Sequence, residues 1–296
     1  MKNYIYSDLA LESSYAMRSG ISESPEYSEK NEGDIKLCKL DISSPELSEK
    51  YGRGIGIYVT VFCEKIWLMN DKQTDDASKV ISEELRDMLK NSSKKDIDKD
   101  FSVLVVGLGN SEITPDSIGP RTVSRLTVTR HIKDIAPELF NDIGQCSVSA
   151  IAPGVLGQTG IETLDLIKGT VRKIHPDAVI AIDALASRSC DRLATTVQIS
   201  DNGINPGSGI GNLRDGINRE SLGVPVIALG VPTVVDSSTL VYDALERAEI
   251  EDVSDKLRSV LDNGRGFFVS PKESDLIAES VSLLLSESID RALARA

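Results

Sequence analysis

Histidine, cysteine and aromatic residues are scarce in this chain of 296 residues, and each shortage excludes or disfavours a kind of chemistry. Only two histidines occur, His131 and His175, and neither lies beside a nucleophile motif, so a histidine-based triad is disfavoured. The four cysteines lie far apart with no CxxC spacing, which is typical of reduced thiols and argues against a zinc site or a disulfide framework. Aromatic residues make up 4%, so the core must be mainly aliphatic.

Long hydrophobic runs are also lacking. No apolar run approaches the ~20 residues that a membrane-spanning helix needs, and residues 1–14 contain no apolar export signal. We therefore expect a cytoplasmic protein without a membrane partner. The net charge of −13 disfavours direct binding of nucleic acid but would not repel a basic or neutral protein substrate.

The second half of the chain alternates apolar runs with helical patterns. Such alternation predicts an α/β fold, with a mostly parallel sheet and helices on both faces, over residues 101–296. Residues 9–100 predict strands and a helix that form a small α+β subelement packed on this core, within one structural unit. The predicted strands are 34–42, 56–68, 103–106, 147–153, 177–185, 194–200 and 224–232; the predicted helices are 79–91, 120–132, 162–174, 239–248 and 272–296, and residues 22–33 are predicted to be a loop.

A glycine-rich stretch, GLGN at 107–110, follows the first strand of this core. A dinucleotide fingerprint needs G-x-G-x-x-G at the start of a helix, yet the next glycine after Gly109 is Gly119. No Walker A sequence occurs either. Nucleotide binding is therefore disfavoured, although a non-catalytic protein that binds a small anion or nucleotide at such loops remains an alternative.

Two aspartates follow strongly apolar strands, Asp116 after the first and Asp183 within the stretch DAVIAIDAL. If these strands are parallel and adjacent, both carboxylates lie at the same edge of the sheet. Two close carboxylates share a proton, so one can act as general base toward water and the other as general acid. The structural alternative is that Asp116 caps a helix and Asp183 forms a turn.

A divalent metal is a competing use of the same carboxylates. It would need a third ligand, for which His131 or Glu162 is the candidate, but no HExxH-type pairing supports such a site. We therefore expect no metal and no cofactor. A metal-dependent peptidase on the same scaffold is kept as an alternative.

Several long motifs resemble the germination protease family of spore-forming bacteria. They are GLGN-x3-TPD-x2-GP at 107–120, LTVTRH at 126–131, SAIAPGVLGQTGIET at 149–163, AIDALASRS at 181–189, TTVQISDNGINPGSGIGN at 195–212, LGVPVIALGVPTVVD at 222–236 and FFVSPKESD at 267–275. The resemblance implies a fold similar to that of hydrogenase-maturation endopeptidases and an atypical aspartic endopeptidase. Its two essential aspartates would be Asp116, in TPD, and Asp183, in AIDA.

The same resemblance implies a biological role. Members of this family are homotetramers that degrade small acid-soluble spore proteins during germination, so the expected location is the cytoplasm of the forespore, that is, the spore core. They are made as zymogens that remove an N-terminal propeptide by self-cleavage after an acidic residue. Here the sequence SDLALE at 7–12 fits that pattern, which makes residues 1–8 the predicted propeptide and Asp8–Leu9 the predicted cleaved bond. His131 and Arg188 are candidates for substrate binding or support.

Overall fold

A computed structural model describes residues 6–12, 21, 24–205, 215–250, 253–263 and 266–295. Nine strands in these residues form one sheet. They are β1 (Tyr27–Glu32), β2 (Ile35–Ile42), β3 (Gly56–Phe62), β4 (Ser102–Gly107), β5 (Ser147–Ile151), β6 (Ala178–Ser187), β7 (Thr196–Ser200), β8 (Val226–Asp236) and β9 (Phe268–Val269).

The order of strands across the sheet is β1-β2-β3-β7-β8-β6-β4-β5, and β9 pairs with the end of β8. The four strands β8, β6, β4 and β5 are parallel to their neighbours within that group. From β8 outward through β7, β3, β2 and β1, every pairing is antiparallel. The predicted α/β class is confirmed, with a mixed sheet whose parallel half and antiparallel half meet between β8 and β7.

Helices pack against both faces of the sheet because the residues of the central strands are apolar on both sides. In β4, Val103 and Val105 join the core under the long helices α2 (Asp71–Ser93) and α11 (Ser274–Leu293). Leu104 and Val106 join a second core under α7 (Thr163–Ile174). All four side chains are fully buried. The helices are α1 (Pro45–Tyr51), α2 (Asp71–Ser93), α3 (Ile118–Val123), α4 (Arg130–Ile135), α5 (Pro137–Ile143), α6 (Leu156–Thr159), α7 (Thr163–Ile174), α8 (Arg219–Leu222), α9 (Ser237–Arg247), α10 (Asp255–Asn263) and α11 (Ser274–Leu293).

The helix predicted over 120–132 is wrong, because this segment holds two short helices, α3 and α4. Between them, Thr129 bonds to the edge strand β5. Its backbone N–H donates to the Val148 carbonyl at 3.0 Å, and its hydroxyl accepts from the Val148 N–H at 2.9 Å. Hydrogen bonding to the buried backbone N–H and C=O groups at the edge of the sheet lowers the free energy more than continuing the helix would.

The loop predicted over 22–33 is also wrong in part, because residues 27–32 form β1. The strand is polar and almost wholly exposed, so the sequence carries no apolar alternation to indicate it. Its backbone pairs with β2 through a tight turn at Gly33, whose φ is +61°. Charged residues are common on such edge strands, where they disfavour pairing with other chains.

The predicted strand over 56–68 is shorter than expected. It ends at Phe62, and residues Ile66–Leu68 form a turn of 3-10 helix. No described helix is both long enough and apolar enough to cross a membrane.

Candidate active site

Asp116 lies beyond the end of β4, at the last position of a 3-10 turn spanning Thr114–Asp116. Its carboxylate accepts a hydrogen bond from the backbone N–H of Asn110, at 2.7 Å from Oδ2. This contact spans the loop that connects β4 to α3. The side chain is half-buried, so one side of the carboxylate faces the interior of the loop.

The glycines of the same loop allow very close backbone packing. Gly109 has a φ of +107°, and a Cβ atom there would lie 2.0 Å from the carbonyl oxygen of Asp116. A Cβ on Gly107 would lie 2.2 Å from the Gly119 carbonyl oxygen, and one on Gly119 would lie 2.3 Å from that of Leu108. These glycines therefore hold Asp116 against the end of the strand, a role that their spacing alone did not indicate.

Asp183 lies in β6, the neighbour of β4. The pairing of β4 with β6 ends at Gly107 and Ile182, so Asp183 is the first residue of β6 beyond the end of β4. On the other side it pairs with Gly230 of β8. The side chain is buried, and its Oδ1 accepts a hydrogen bond from the Ala184 N–H at 2.9 Å.

The surroundings of the two aspartates favour a proton on Asp183. Burial raises the pKa of Asp183 well above its usual range, and the negative charges of Asp116 and Asp8 raise it further. Burial also raises the pKa of Asp116, whereas the hydrogen bond from Asn110 opposes that shift. The two carboxyls are therefore suited to opposite roles, with Asp183 as the acid and Asp116 as the base.

One cavity of about 650 Å³ brings these groups together. Asp116 and Asp183 both line it, so the structure places the two aspartates in one site at the carboxyl ends of the parallel strands. The antiparallel half contributes residues that the sequence did not single out. Among these are Arg53, in the loop before β3, and Gln198, in β7.

Asp8, one of the described N-terminal residues 6–12, lines this cavity. β6 runs five residues past its last pairing with β4, which leaves the edge of residues 183–187 open on that side. Asp8 occupies this edge: its N–H donates to the Ala186 carbonyl, and its Oδ2 accepts from the Ala186 N–H, both at 2.8 Å. The Tyr6 hydroxyl also bonds to the Asp8 carboxylate. Asp8 thus lines the cavity, and the adjoining Leu9 is buried.

Glu12 is a second acidic residue of this segment that sequence reasoning missed. Its side chain is buried, and its Oε2 accepts from the Ser7 hydroxyl at 2.6 Å and from the Arg188 N–H at 2.7 Å. Arg188 therefore contacts the N-terminal segment through its backbone N–H. The Arg188 guanidinium instead pairs with Asp243 at 3.2 Å and with Glu246 at 2.5 Å, both on α9.

The other predicted site residues lie elsewhere. His131 is an exposed residue of α4 and is not among the described residues that line the cavity. Glu162, the alternative metal ligand, is exposed at the start of α7. No three His, Cys, Asp or Glu side chains within the described ranges are grouped as a metal ion would require. Of the glycine-rich loop at 200–212, residues 206–212 lie outside the described residues, whereas Asn202 and Ile204 line the cavity.

Comparisons with known proteins agree with the motif resemblance. A family model described as germination protease matches residues 17–248. Germination protease from Clostridium perfringens strain ATCC 13124 is 43% identical over 284 residues, covering 88% of this chain and 85% of the relative. The protein of the same name from Caldanaerobacter subterraneus subsp. tengcongensis is 41% identical and covers 98% of this chain and 94% of its own length.

A more distant similarity is found among solved structures. The nickel–iron hydrogenase maturation protease HycI from Thermococcus kodakarensis KOD1 superposes with a TM-score of 0.36 at 16% identity. The match covers 69% of this chain and 97% of that protein.

Proposed function

The chain belongs to the germination protease family, and on this premise we propose that it is an endopeptidase in which Asp116 and Asp183 activate a water molecule. The observation that supports the proposal best is that both carboxyls line one cavity, which Asp8 also lines. Nearby negative charges raise the pKa of Asp183 further than burial alone, whereas the hydrogen bond from Asn110 opposes the rise in the pKa of Asp116.

The proposed reaction needs one ionised and one protonated carboxyl. Asp116 takes a proton from water as the water oxygen attacks the carbonyl carbon of the peptide bond. Asp183 then donates its proton to the departing nitrogen as the C–N bond breaks. The products are a carboxylic acid and an amine, and each carboxyl regains its starting state by exchanging a proton with solvent.

The proposed substrates are small acid-soluble spore proteins, together with the chain's own N-terminus at Asp8–Leu9. The position of Asp8 supports self-processing, because this acidic residue before the proposed bond lines the cavity and already bonds to the edge of β6. The homotetramer and the location in the spore core are proposed on the family resemblance. By the family resemblance these substrates coat the DNA of dormant spores, and DNA would repel a chain with a net charge of −13. We therefore propose that substrates leave DNA before they are cleaved.

Substitution of either aspartate tests the proposal. Asp116→Asn and Asp183→Asn should each lower both self-processing and cleavage of an added small acid-soluble spore protein by about 10²–10⁴-fold, the range typical of general acid–base catalysis. Intact-mass spectrometry of the full chain measures the first, and fragment analysis by electrophoresis measures the second.

Asp290→Asn is the matched control. Burial raises the pKa of this aspartate too, yet it bonds to Thr127 and is not among the described residues of the cavity. It should retain activity. Full activity in either active-site variant would contradict the assignment, and loss of activity on exhaustive chelation would favour the metal-dependent alternative.

A further inference from the structure

Gln198 contacts the backbone on both sides of Leu9. Its Oε1 accepts a hydrogen bond from the Ala10 N–H at 2.7 Å, and its Nε2 donates to the Asp8 carbonyl oxygen at 3.3 Å. That oxygen belongs to the Asp8–Leu9 peptide bond itself. The shorter bond from Ala10 fixes the orientation of the amide, because only Oε1 accepts, and it therefore directs the NH₂ group at the carbonyl.

Strand register places Gln198 in the same row as Asp183. Asp183 of β6 pairs with Gly230 of β8, and Gly230 pairs in turn with Gln198 of β7. Residues directly opposite one another across a sheet point to the same face, with strands about 4.8 Å apart. Gly230 has no side chain, and the Leu185 side chain packs over it, since a Cβ on Gly230 would lie 2.6 Å from Leu185 Cδ1.

We propose that Gln198 is a catalytic residue that binds the carbonyl oxygen of the cleaved bond and stabilises the negative charge that develops there during attack by water. The inference rests on the proposed function and adds to it the group that stabilises the oxyanion. Water adds to the carbonyl carbon, its proton passes to Asp116, and the charge on the oxygen is held by Nε2–H of Gln198 until the C–N bond breaks.

A neutral donor suits this site better than a cation. Asp8, Asp116 and Asp183 already lie close enough for their charges to interact, and the pKa of Asp183 is raised by burial and further by the negative charges of Asp116 and Asp8. A lysine or arginine at this position would favour the ionised form of Asp183 and so remove the acid. Gln198 is itself buried, which strengthens its hydrogen bond to a developing charge.

The contacts of Arg53 mark the difference between holding the segment and acting on the bond. Its Nη2 donates to the carbonyl oxygens of Ser7 and Leu9, at 2.5 and 3.1 Å. These carbonyls flank that of Asp8 on each side and do not belong to the cleaved bond. Arg53 therefore positions the segment, whereas Gln198 reaches the reacting oxygen.

The test is the first-order rate of self-processing in the full chain, because this rate contains no step in which substrate binds from solution. Gln198→Met keeps the volume of the side chain but removes the donor. It should lower the rate by about 10²–10³-fold, as the loss of a donor to an oxyanion does in other hydrolases. Gln198→Met also removes the acceptor for the Ala10 N–H, so docking is followed at Asp8 and Leu9, whose N–H groups bond to the Ala186 carbonyl and the Ser7 hydroxyl. Hydrogen exchange at these two amides should stay as slow as in the unchanged chain, which shows that the segment remains docked.

Two variants complete the experiment. Gln198→Glu keeps the acceptor for Ala10 and, when ionised, has no donor, so it should be equally slow at a pH above the pKa of the introduced carboxyl. Thr196→Val is the control: it removes a buried hydroxyl from the same strand, and this hydroxyl has no hydrogen-bond partner among the described residues. It should process at the normal rate.

Each other outcome is decisive. A rate within threefold of normal in Gln198→Met overturns the inference while leaving the proposed endopeptidase intact. A slow rate together with fast exchange at Asp8 and Leu9 also overturns it, since the side chain would then only hold the segment. If the unchanged chain never cleaves Asp8–Leu9, both this inference and the proposed self-processing fail.

Discussion

The two halves of the sheet differ in what they contribute to the cavity. The parallel half supplies carboxyls, Asp116 and Asp183, at the carboxyl ends of β4 and β6. The antiparallel half and its loops supply hydrogen-bond donors, Gln198 and Arg53, that face the backbone of residues 7–10. Parallel strands must be linked by long crossover connections, which place loops at the carboxyl ends of the strands. Antiparallel strands instead contribute side chains from along their length.

This difference suggests a division of labour. Acid–base chemistry requires groups whose protonation depends on burial and mutual charge, and the loop after β4 and the open end of β6 create those conditions. Binding of an extended peptide requires donors at a regular spacing, which a strand provides. The two halves meet where β8 pairs with β7, and Gly230 of β8 pairs there with Gln198 of β7.

Apart from the two aspartates themselves, the largest effect expected from disturbing the parallel half comes from Gly109→Ala. A Cβ atom there would meet the Asp116 carbonyl at 2.0 Å in a backbone conformation with a φ of +107°, so the loop must move and take the carboxylate with it. A displacement of about 1 Å in a catalytic group costs on the order of 10²-fold in rate. The self-processing rate measures this loss.

Gly144→Ala is the matched control for that prediction. Gly144 also has a positive φ, +74°, but nothing lies within 4 Å of the position of its Cβ. It should lose stability through backbone strain, about 1–2 kcal/mol, and keep its rate of self-processing. If both variants were equally inactive, backbone strain and not the position of Asp116 would be the cause.

A smaller effect is expected from the antiparallel half in Arg53→Ala. Removing the guanidinium deletes two charge-assisted hydrogen bonds to the segment, so residues 7–9 should undock more often. We expect at least about tenfold slower self-processing together with faster hydrogen exchange at these residues, since each bond to a charged group contributes about 1.5–3 kcal/mol. Gln198→Met should also slow cleavage, but it should leave exchange at the docked segment slow, so the exchange rate distinguishes the two variants.

Lys36→Ala serves as the control for the change in charge, because the Lys36 ammonium forms an exposed ion pair with Glu29 on β1. Exposed pairs contribute little, so neither cleavage nor exchange should change. Undiminished cleavage in Arg53→Ala would show that the contacts of Gln198 and of the β6 edge suffice to dock the segment.

The smallest effect is thermal. The folded pKa of Asp183 is raised, so the folded state binds this proton more tightly than the unfolded state does, and stability falls as pH rises above the unfolded value near 4. Asp183→Asn removes this fall in stability with rising pH. Its Tm should exceed that of the unchanged chain near neutral pH, by about 2–4 °C for each kcal/mol gained. The gain should disappear near pH 3.5, and a gain that did not depend on pH would point to altered packing instead.

Much of the fold was accessible to sequence reasoning, because buried strands must be apolar. The runs that became β4, β6 and β8 are apolar on both faces, which is why an α/β class was predicted and is confirmed. The polar edge strand β1 and the break between α3 and α4 were missed. In both places backbone hydrogen bonds to a neighbouring strand decide the structure, and such bonds leave no periodic pattern in the side chains.

The site was accessible only in part. Asp116 and Asp183 could be selected because each follows an apolar run, and the family resemblance, confirmed by the matching family model, points to the same pair. Arg53, Glu12 and Gln198 carried no such signal, since a single polar residue in a strand or turn is ordinary. His131 could be proposed from its motif, yet the structure places it on an exposed helix away from the cavity residues.

The sequence by itself determined the family and the class of fold and predicted the two aspartates, because these depend on local composition and on motifs continuous along the chain. Tertiary structure alone decided which groups face one another. Asp8 contacts Ala186, which is 178 residues away in the sequence, because β6 extends beyond the end of β4. Gln198 contacts Ala10, which is 188 residues away, because β7 joins the sheet beside β8. Register between distant strands sets these contacts, and register arises only when the whole sheet has assembled.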